Sequence, residues 1–329
     1  MAVASLDGLL ATLPFQSTAS QWSASVEEQA LTWASHHKLM AADAHARTRS
    51  ARFGEYAGLQ YPQGRPAVVK LAAYLTHYMF HFDDFMASLA QASTPHEVGV
   101  EVELVWSAFR GSTEADPSRP LVTAAHDLRA MVLDQSPPEW SARVIEHIGV
   151  YLRAHETEFD NLYTRRPPGV DDYILLRRRL GAPLVFTDLC ETVAGLVLPP
   201  RLYDGDACQL MLSAWSDIAL WVNDVVSFPK ESRAGDYHNL AIVLQHEQGI
   251  GRDQALNDVC QRIEERLHEY LRATEAFQAE AVDMYASQTQ RTNVPHYLRT
   301  LGTWLAGHIQ WHLSTSRYDS VTASALSAP

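Results

Sequence analysis

Residues 221–231 read WVNDVVSFPKE, and three oxygen-bearing side chains in this stretch decide how the chain is interpreted. Asn223, Ser227 and Glu231 recur at intervals of four, which places them along one stripe of a helix because an α-helix has about 3.6 residues per turn. The residues just before them, LMLSAWSDIALWV at 210–222, are almost wholly apolar. An amide oxygen, a hydroxyl and a carboxylate therefore point the same way from a helix that is otherwise suited to burial.

Helical periodicity extends through the rest of the chain. In residues 66–90, 252–287 and 295–316, apolar side chains recur three and four positions apart, as on the buried face of a helix. Strand-like alternation is scarce, and pairs of Pro and Gly fall between the helical segments as stops. Further helices are predicted at 24–39, 96–110, 121–133, 139–163, 171–180, 183–197, 204–228 and 236–248.

Composition and charge limit the class of protein that this chain can be. A chain of 329 residues that is 47% hydrophobic can bury a large core. We therefore expect one all-α domain over residues 1–329, with a helical core at about 20–318 and a disordered tail at 319–329. The formal net charge of −13 argues against nucleic acid as a partner, because a phosphate backbone attracts clustered Lys and Arg.

Cysteine usage and hydropathy indicate where the protein resides. Cys190, Cys208 and Cys260 are far apart and lack zinc-type spacing, which predicts buried thiols in a reducing cytosol. The longest apolar region, LGAPLVFTDLCETVAGLVLPP, is interrupted by Asp188 and Glu191 before it reaches the ~20 residues that a membrane span needs. The N-terminus lacks a basic region and does not resemble a signal peptide. We therefore expect a cytoplasmic protein with no membrane segment.

A second cluster of oxygens ends the helix predicted at 66–90, in the stretch MFHFDDFMAS. Asp83 lies four residues after Met79 and one after Phe82, so it continues the apolar stripe and should point inward. An inward carboxylate is costly unless it is paired or holds a metal, and Asp84 beside it doubles that cost. Carboxylate, amide and hydroxyl oxygens are the ligands that Mg²⁺ takes. The two clusters together predict a magnesium site.

At this point the residues resemble a known family, the class I terpene synthases. NDVVSFPKE is similar to the second metal-binding motif of that family, and FDDFMAS is similar to the first part of its aspartate-rich motif. YILLRRRLGAP contains Arg177, which resembles the family's pyrophosphate-sensing arginine. WHLSTSRY ends in Arg317 and Tyr318, which resemble its terminal Arg-Tyr pair, and GDYHNL is similar to the bacterial members. These pieces lie in order over residues 80–318.

The resemblance implies an all-α barrel with both metal motifs at the mouth of an apolar cavity, and it implies roles for particular residues. Mg²⁺, as three ions once substrate is bound, would be held by Asp83, Asp84, Asn223, Ser227 and Glu231. The substrate diphosphate would be bound by Arg177, Lys230, Arg317 and Tyr318. Aromatic faces stabilise a carbocation, and the family's pattern points to Phe80 and Trp311 for this role. Gly181 and Ala182 stand where such synthases break a helix to bring a backbone carbonyl to the substrate, and glycine permits the backbone of such a break.

The activity that the resemblance implies is Mg²⁺-dependent ionisation of a linear prenyl diphosphate, with farnesyl diphosphate favoured. The carbocation would cyclise to a terpene hydrocarbon or alcohol, and pyrophosphate would be released. Family members are often dimers, so a homodimer is one option for the assembly. Two other functions fit a helical chain of this pattern: a chain-elongating prenyltransferase, which normally carries two complete aspartate-rich motifs, and a non-catalytic protein that binds prenyl diphosphates.

Two features depart from the family's pattern. The third acid of the aspartate-rich motif, three or four residues after its second Asp, is replaced by Ala87 or Ser88, which predicts weaker metal binding on the side of Asp83. Pro229 lies inside the second motif, and because proline clashes with the preceding turn, we expect Glu231 just past a kink.

Three histidines in the predicted helices could suggest acid–base work. His77, His81 and His155 have no second residue at ligand spacing, so we interpret them as neutral, packed side chains. No Ser-His-Asp set and no Gly-rich nucleotide loop is recognisable in the sequence.

Overall fold

The computed structural model of the protein describes residues 2–40, 45–89, 93–135, 137–285 and 288–317. Within these ranges the chain forms helices and no strand, which confirms the predicted all-α fold. The predicted tail at 319–329 and the predicted diphosphate ligand Tyr318 lie outside the described residues. The helices are α1 (Ala2–Thr12), α2 (Ser23–His36), α3 (His45–Ala51), α4 (Phe53–Gln60), α5 (Pro66–Leu89), α6 (Pro95–Arg110), α7 (Pro120–Gln135), α8 (Pro138–Thr164), α9 (Val170–Leu180), α10 (Pro183–Ala194), α11 (Pro200–Tyr203), α12 (Asp206–Ala234), α13 (Leu240–Gln248), α14 (Arg252–Met284) and α15 (Gln288–Ser314).

The helix that carries the second oxygen cluster is longer than the sequence predicts. α12 continues through Pro229 to Ala234 instead of ending at residue 228. A proline inside a helix removes one backbone hydrogen bond, but the buried apolar face of α12 packs against α14 and α15, and this packing outweighs the local loss. Glu231 therefore stays on the same helix as Asn223.

Four helices, α1, α3, α4 and α11, are absent from the sequence-based prediction. α4 is only eight residues long and contains two glycines, yet nearly all of it is buried. A Cβ at Gly54 would lie 2.5 Å from the Cα of Glu27 on α2, so glycine permits this close approach. α1 packs on α14 and α15 with Leu6 and Leu9 buried, so helical structure begins before residue 20. Short helices of this kind are stabilised by tertiary packing rather than by a pattern of their own.

The largely buried helix α10 contacts α5, α8, α12 and α15 and so lies at the centre of the bundle. The C-terminal parts of α5 and α8, the end of α9, the second half of α12 with residues that follow it, and Arg317 after α15 surround one cavity. The core thereby brings together side chains that are far apart in the sequence.

The break between α9 and α10 occurs where the sequence predicts it. α9 ends at Leu180 and α10 starts at Pro183, but the positive φ of 49° falls on Ala182, whereas Gly181 has an ordinary φ of −84°. The expectation that Gly181 supplies the unusual backbone is therefore wrong. A Cβ at Gly181 would lie 1.9 Å from Cδ2 of Leu220 on α12, so close packing explains the glycine.

Cys190, Cys208 and Cys260 are buried thiols, as predicted. In the part of the chain that the structure describes, no helix has the length and apolar character needed to cross a bilayer.

Candidate active site

A cavity of about 310 Å³ collects most of the predicted site residues. Its apolar wall includes Phe159, Leu162 and Leu180. The predicted residues that line it are Phe80, Asp83, Asp84, Arg177, Asn223, Lys230, Glu231 and Arg317. Gly181, Ser227 and Trp311 lie outside its lining. The structure therefore joins the two oxygen clusters and the predicted cationic side chains around one space.

A larger cavity, of about 780 Å³, lies between α5, α6 and α7 and contains none of the predicted site residues. Its two carboxylates already have partners: Glu97 accepts hydrogen bonds from Thr94, and Glu101 accepts from Arg119. We therefore place the site in the smaller cavity, where carboxylates and arginines face each other.

Asp83 is held by two side chains of α8. Its Oδ1 lies 2.7 Å from the Tyr151 hydroxyl and 3.0 Å from Nε2 of His155. Nδ1 of His155 lies 3.0 Å from the main-chain oxygen of Tyr151, so both ring nitrogens face acceptors. The Asp83 side chain remains 46% exposed toward the cavity. The carboxylate is thus fixed on one side and accessible to a ligand on the other.

His155 is a buried, packed side chain, as predicted, but it is paired with Asp83 of α5. Burial lowers its pKa, but the hydrogen bond to Asp83 and the charge of Glu158 outweigh burial, and the pKa of His155 is raised. Glu158 lies one turn further along α8 and brings another carboxylate to the cavity. The sequence signal was present, because Tyr151, His155 and Glu158 share one face of α8 at helical spacing.

The end of α5 shows which position lacks the third acid. Ala87 lines the cavity, whereas the exposed Ser88 donates a hydrogen bond to the Phe85 main-chain oxygen at 2.6 Å. Asp84 is 65% exposed, and its Oδ1 lies 4.0 Å from Nη2 of Arg317. The carboxylate that the family's motif would carry is therefore missing from the cavity wall itself.

The second cluster offers three different oxygens along α12. Ser227 is fully buried, and its Oγ has no hydrogen-bond partner among the described residues. Glu231 accepts a hydrogen bond from Nδ2 of Asn239 at 2.8 Å, and burial together with the charge of Asp224 raises the pKa of Glu231 to about 7. A buried hydroxyl without a partner is costly, and the amide oxygen of Asn223 with the Glu231 carboxylate completes a ligand set for a hard divalent cation. These residues fit a metal.

Arg177 reaches the cavity from α9 through a buried anchor. Its Nε donates to Oδ1 of Asp224 at 3.0 Å, and its Nη2 donates to Oδ1 of Asn223 at 2.7 Å. Asp224 is fully buried, and its Oδ2 accepts from the Tyr173 hydroxyl at 2.7 Å and from the Leu240 amide at 3.0 Å. Burial opposes the charge on Arg177, but Asp224 outweighs it and raises the pKa of Arg177. Sequence reasoning missed Asp224, although an acid in an apolar helix was the signal.

The stretch GDYHNL, residues 235–240, forms hydrogen bonds to α12 next to the second cluster. Nδ2 of Asn239 donates to the main-chain oxygen of Asp224 at 2.6 Å as well as to Glu231. Asp236 and His238 also line the cavity, and Asp236 accepts a hydrogen bond from the His238 amide at 2.8 Å. This stretch therefore holds the Glu231 carboxylate and the backbone of α12 in place, a role that its sequence alone did not indicate.

Phe80 and Arg317 lie at the cavity's aromatic edge. The Arg317 guanidinium lies 3.9 Å from the ring centre of Phe80, and Phe80 stacks on Phe53 with ring centres 4.8 Å apart. Trp311 is fully buried behind them, and its Nε1 donates to the main-chain oxygen of Ala51 at 2.9 Å. Phe80 thus already holds a cation against its face, as an aromatic ring does through its quadrupole.

Comparison with protein families gives one match that covers more than half of the chain. A family model described as terpene synthase family 2, C-terminal metal binding, matches residues 74–269. This range includes Asp83, Arg177 and the whole second cluster and stops before Arg317.

Individual proteins are similar over nearly the whole chain. Pristinol synthase of Streptomyces pristinaespiralis is 26% identical over 321 residues, which cover 96% of this chain and 86% of that protein. (+)-T-muurolol synthase ((2E,6E)-farnesyl diphosphate cyclizing) of Roseiflexus castenholzii is 26% identical over 305 residues, covering 93% and 92%. The crystal structure of linalool/nerolidol synthase from Streptomyces clavuligerus in complex with 2-fluorogeranyl diphosphate matches with a TM-score of 0.80 at 21% identity, covering 93% of this chain and 99% of that one. At this identity the structural likeness shows a shared fold.

Proposed function

Because this chain belongs to terpene synthase family 2, we propose that it uses Mg²⁺ to ionise farnesyl diphosphate and cyclises the resulting carbocation to a terpene hydrocarbon or alcohol, with release of pyrophosphate. The family resemblance inferred from the sequence motifs is confirmed, and the protein is a terpene synthase, which is a class of lyase. The observation that carries the proposal is the convergence of two oxygen clusters and two arginines on one cavity.

The ligands of the Mg²⁺ ions would lie on two walls of the cavity. We assign Asp83 and Asp84 to one wall and Asn223 and Glu231 to the other, with Ser227 on the same stripe of α12 but outside the present cavity lining, and with three Mg²⁺ ions in the substrate complex. When bound, Mg²⁺ neutralises the diphosphate leaving group. The Ser227 hydroxyl, which has no hydrogen-bond partner among the described residues, and the exposed side of the Asp83 carboxylate support this assignment.

The chain's own cationic side chains bind the diphosphate, and its aromatic rings protect the carbocation. Arg177, Lys230 and Arg317 line the cavity and donate hydrogen bonds to the diphosphate, for which a planar guanidinium is well suited, and we assign Tyr318 to the same group. Phe80 faces the hydrocarbon chain, with Trp311 buried behind it, and their apolar surroundings exclude water from the carbocation. Gly181 follows Leu180 of the cavity wall, and we assign its carbonyl to the substrate side of the helix break.

Farnesyl diphosphate is favoured because the muurolol synthase, similar over 93% of this chain, is named as cyclising it. The test is incubation of the purified protein with geranyl, farnesyl and geranylgeranyl diphosphates, with Mg²⁺ and with EDTA, followed by gas chromatography and mass spectrometry. We expect a cyclic C15 product from farnesyl diphosphate that disappears in EDTA. Absence of any product from folded protein with Mg²⁺ would overturn the activity, and a product from another diphosphate only would overturn the substrate.

We further propose that the enzyme is a homodimer, as the family resemblance suggests, and that it is cytoplasmic, as its three separated cysteines suggest. Size-exclusion chromatography with light scattering should give twice the chain mass of 36.7 kDa, and a mass of one chain at micromolar concentration would contradict the dimer.

A further inference from the structure

The C-terminal end of α15 is bound by an arginine from a distant part of the chain. Nη2 of Arg52, which lies between α3 and α4, donates to the main-chain oxygen of Ser314 at 2.7 Å and lies 3.3 Å from its Oγ. Ser314 is the last residue of α15, and the last carbonyls of a helix have no partner within the helix. A positive charge at this point also complements the negative end of the helix dipole. Arg52 therefore holds the main chain where α15 ends.

The backbone of Arg52 indicates that its side chain is used. Arg52 has φ 55° and ψ 52°, in the left-handed region that glycine and asparagine adopt more easily than arginine. Its Nη1 donates to Oε2 of Glu55 at 2.9 Å, which fixes the plane of the guanidinium with Nη2 directed to Ser314. A residue with an easier backbone at this position could not reach both partners.

Two further hydrogen bonds join the α3–α4 junction to the C-terminal segment. Nε1 of Trp311 donates to the main-chain oxygen of Ala51 at 2.9 Å, and Oγ of Ser316 donates to the main-chain oxygen of Ser50 at 3.3 Å. These contacts lie before and after the end of α15. The junction thus fixes the direction in which the chain leaves the helix.

The chain that leaves α15 carries Arg317 to the cavity. Arg317 comes three residues after the end of the helix and lines the cavity. Its guanidinium lies 3.9 Å from the ring centre of Phe80 and 5.6 Å from that of Phe53, the residue next to Arg52. Nε of Arg317 is buried and has no hydrogen-bond partner among the described residues. The side chain is therefore held against aromatic rings with a donor available to an anion.

We propose that Arg52 is a positioning residue for Arg317, and this rests on the proposed function, in which Arg317 binds the diphosphate. By holding the main-chain oxygen of Ser314, Arg52 sets the path of residues 315–317 and keeps the Arg317 guanidinium at the cavity wall. Without this bond the segment after α15 takes other directions, and its ordering then opposes diphosphate binding. Arg52 lies outside the cavity lining, so it acts through Arg317.

The test measures binding of inorganic pyrophosphate with Mg²⁺, by isothermal titration calorimetry, to wild-type protein and to Arg52→Asn. Asparagine tolerates the left-handed backbone, so the variant should fold, and we expect pyrophosphate to bind about tenfold more weakly. The same change in an Arg317→Met background should weaken binding no further, because the loss acts through Arg317. Arg165→Asn is the matched control, since Arg165 is exposed, has the same left-handed backbone with φ 53° and lies outside the cavity lining. It should leave binding unchanged.

Two further substitutions at Arg52 sharpen the test. Arg52→Lys keeps one cation that can reach the Ser314 oxygen but loses the fork that also holds Glu55, so it should recover part of the affinity. Arg52→Gly suits the same backbone and should match the loss in Arg52→Asn, so it replaces that variant if asparagine does not fold.

Several results would contradict the positioning role. Unchanged pyrophosphate affinity in Arg52→Asn overturns it, as does an equal loss in Arg165→Asn or a loss that persists in full in the Arg317→Met background. Equal affinity of wild type and Arg317→Met would overturn the role of Arg317 and with it that of Arg52. No prenyl substrate is present, so a failed product assay beside the expected affinities would contradict the proposed activity and not the positioning role.

Discussion

Nε2 of His155 lies 3.0 Å from Oδ1 of Asp83, although the two residues are 72 positions apart in the sequence. This bond ties the first acid of α5 to α8. It leaves the other side of the carboxylate open to the cavity, where Glu158 also faces inward. Asp83, the first of the proposed metal ligands along the chain, is thus oriented by the fold before any ligand is present.

Replacing His155 should weaken metal binding without removing a metal ligand. In His155→Leu, Asp83 loses a donor that orients it, and we expect the Mg²⁺ concentration for half-maximal activity to rise by about tenfold, as for other partners of metal ligands. His155→Gln keeps a donor and should recover most of the affinity. Equal losses in the two variants would indicate that the imidazole acts through packing alone, and Mn²⁺ titration with the folded proteins checks this without turnover.

Restoring the missing acid should strengthen metal binding when the acid is placed at residue 87 but not when it is placed at residue 88. Ala87 lines the cavity and Ser88 does not, so Ala87→Asp adds a carboxylate to the wall that holds Asp83. We expect the Mg²⁺ requirement to fall by roughly threefold to tenfold, because an added anion near a cation is worth about 1 kcal/mol even at a partly exposed site. Ser88→Asp, which adds the same charge one residue away, is the control. An equal fall in both variants would assign the effect to net charge and not to ligation.

Phe80 should stabilise the carbocation through its face. It holds the Arg317 guanidinium at 3.9 Å, so its ring is already placed for a cation. An aromatic face contributes about 0.5–2 kcal/mol, so Phe80→Leu should lower turnover of farnesyl diphosphate by roughly 2-fold to 30-fold and shift the product mixture. Phe85→Leu removes a ring from the same helix on the side of the larger cavity and should leave both unchanged. Unaltered products and turnover in Phe80→Leu would contradict the role.

His77 should make the protein sensitive to acid. It is fully buried, neither ring nitrogen has a hydrogen-bond partner among the described residues, and burial lowers its pKa from 6.5 to about 3. The unfolded chain therefore binds this proton below pH 6.5 while the folded chain does not. The stability held by the neutral ring is lost as the pH falls from 6.5 toward 3, at up to ~1.4 kcal/mol per pH unit.

The measurement is urea unfolding of wild type and His77→Phe at pH 6.5, 5.5 and 4.5. A phenyl ring of similar shape beside Phe53 cannot take up the proton, so the variant should lose stability less steeply on acidification. Parallel pH profiles for the two proteins would show that His77 is solvated or partnered in the folded state.

Features that depend on one helix at a time could be read from the amino-acid order. The spacing of Asn223, Ser227 and Glu231 placed three oxygens on one stripe, and apolar periodicity located most of the helices. The motifs around Asp83 and Arg177 identified the family. Each of these follows from side chains attached at fixed intervals to a backbone of about 3.6 residues per turn.

Features that depend on the contact between helices could not be read in this way. The pairing of His155 with Asp83, the grip of Arg177 on Asn223 and the choice of Ala87 over Ser88 as the cavity-facing position depend on how helices rotate and cross. Those angles are set by side chains packing into the grooves of neighbouring helices across the whole core, so no local stretch of sequence encodes them.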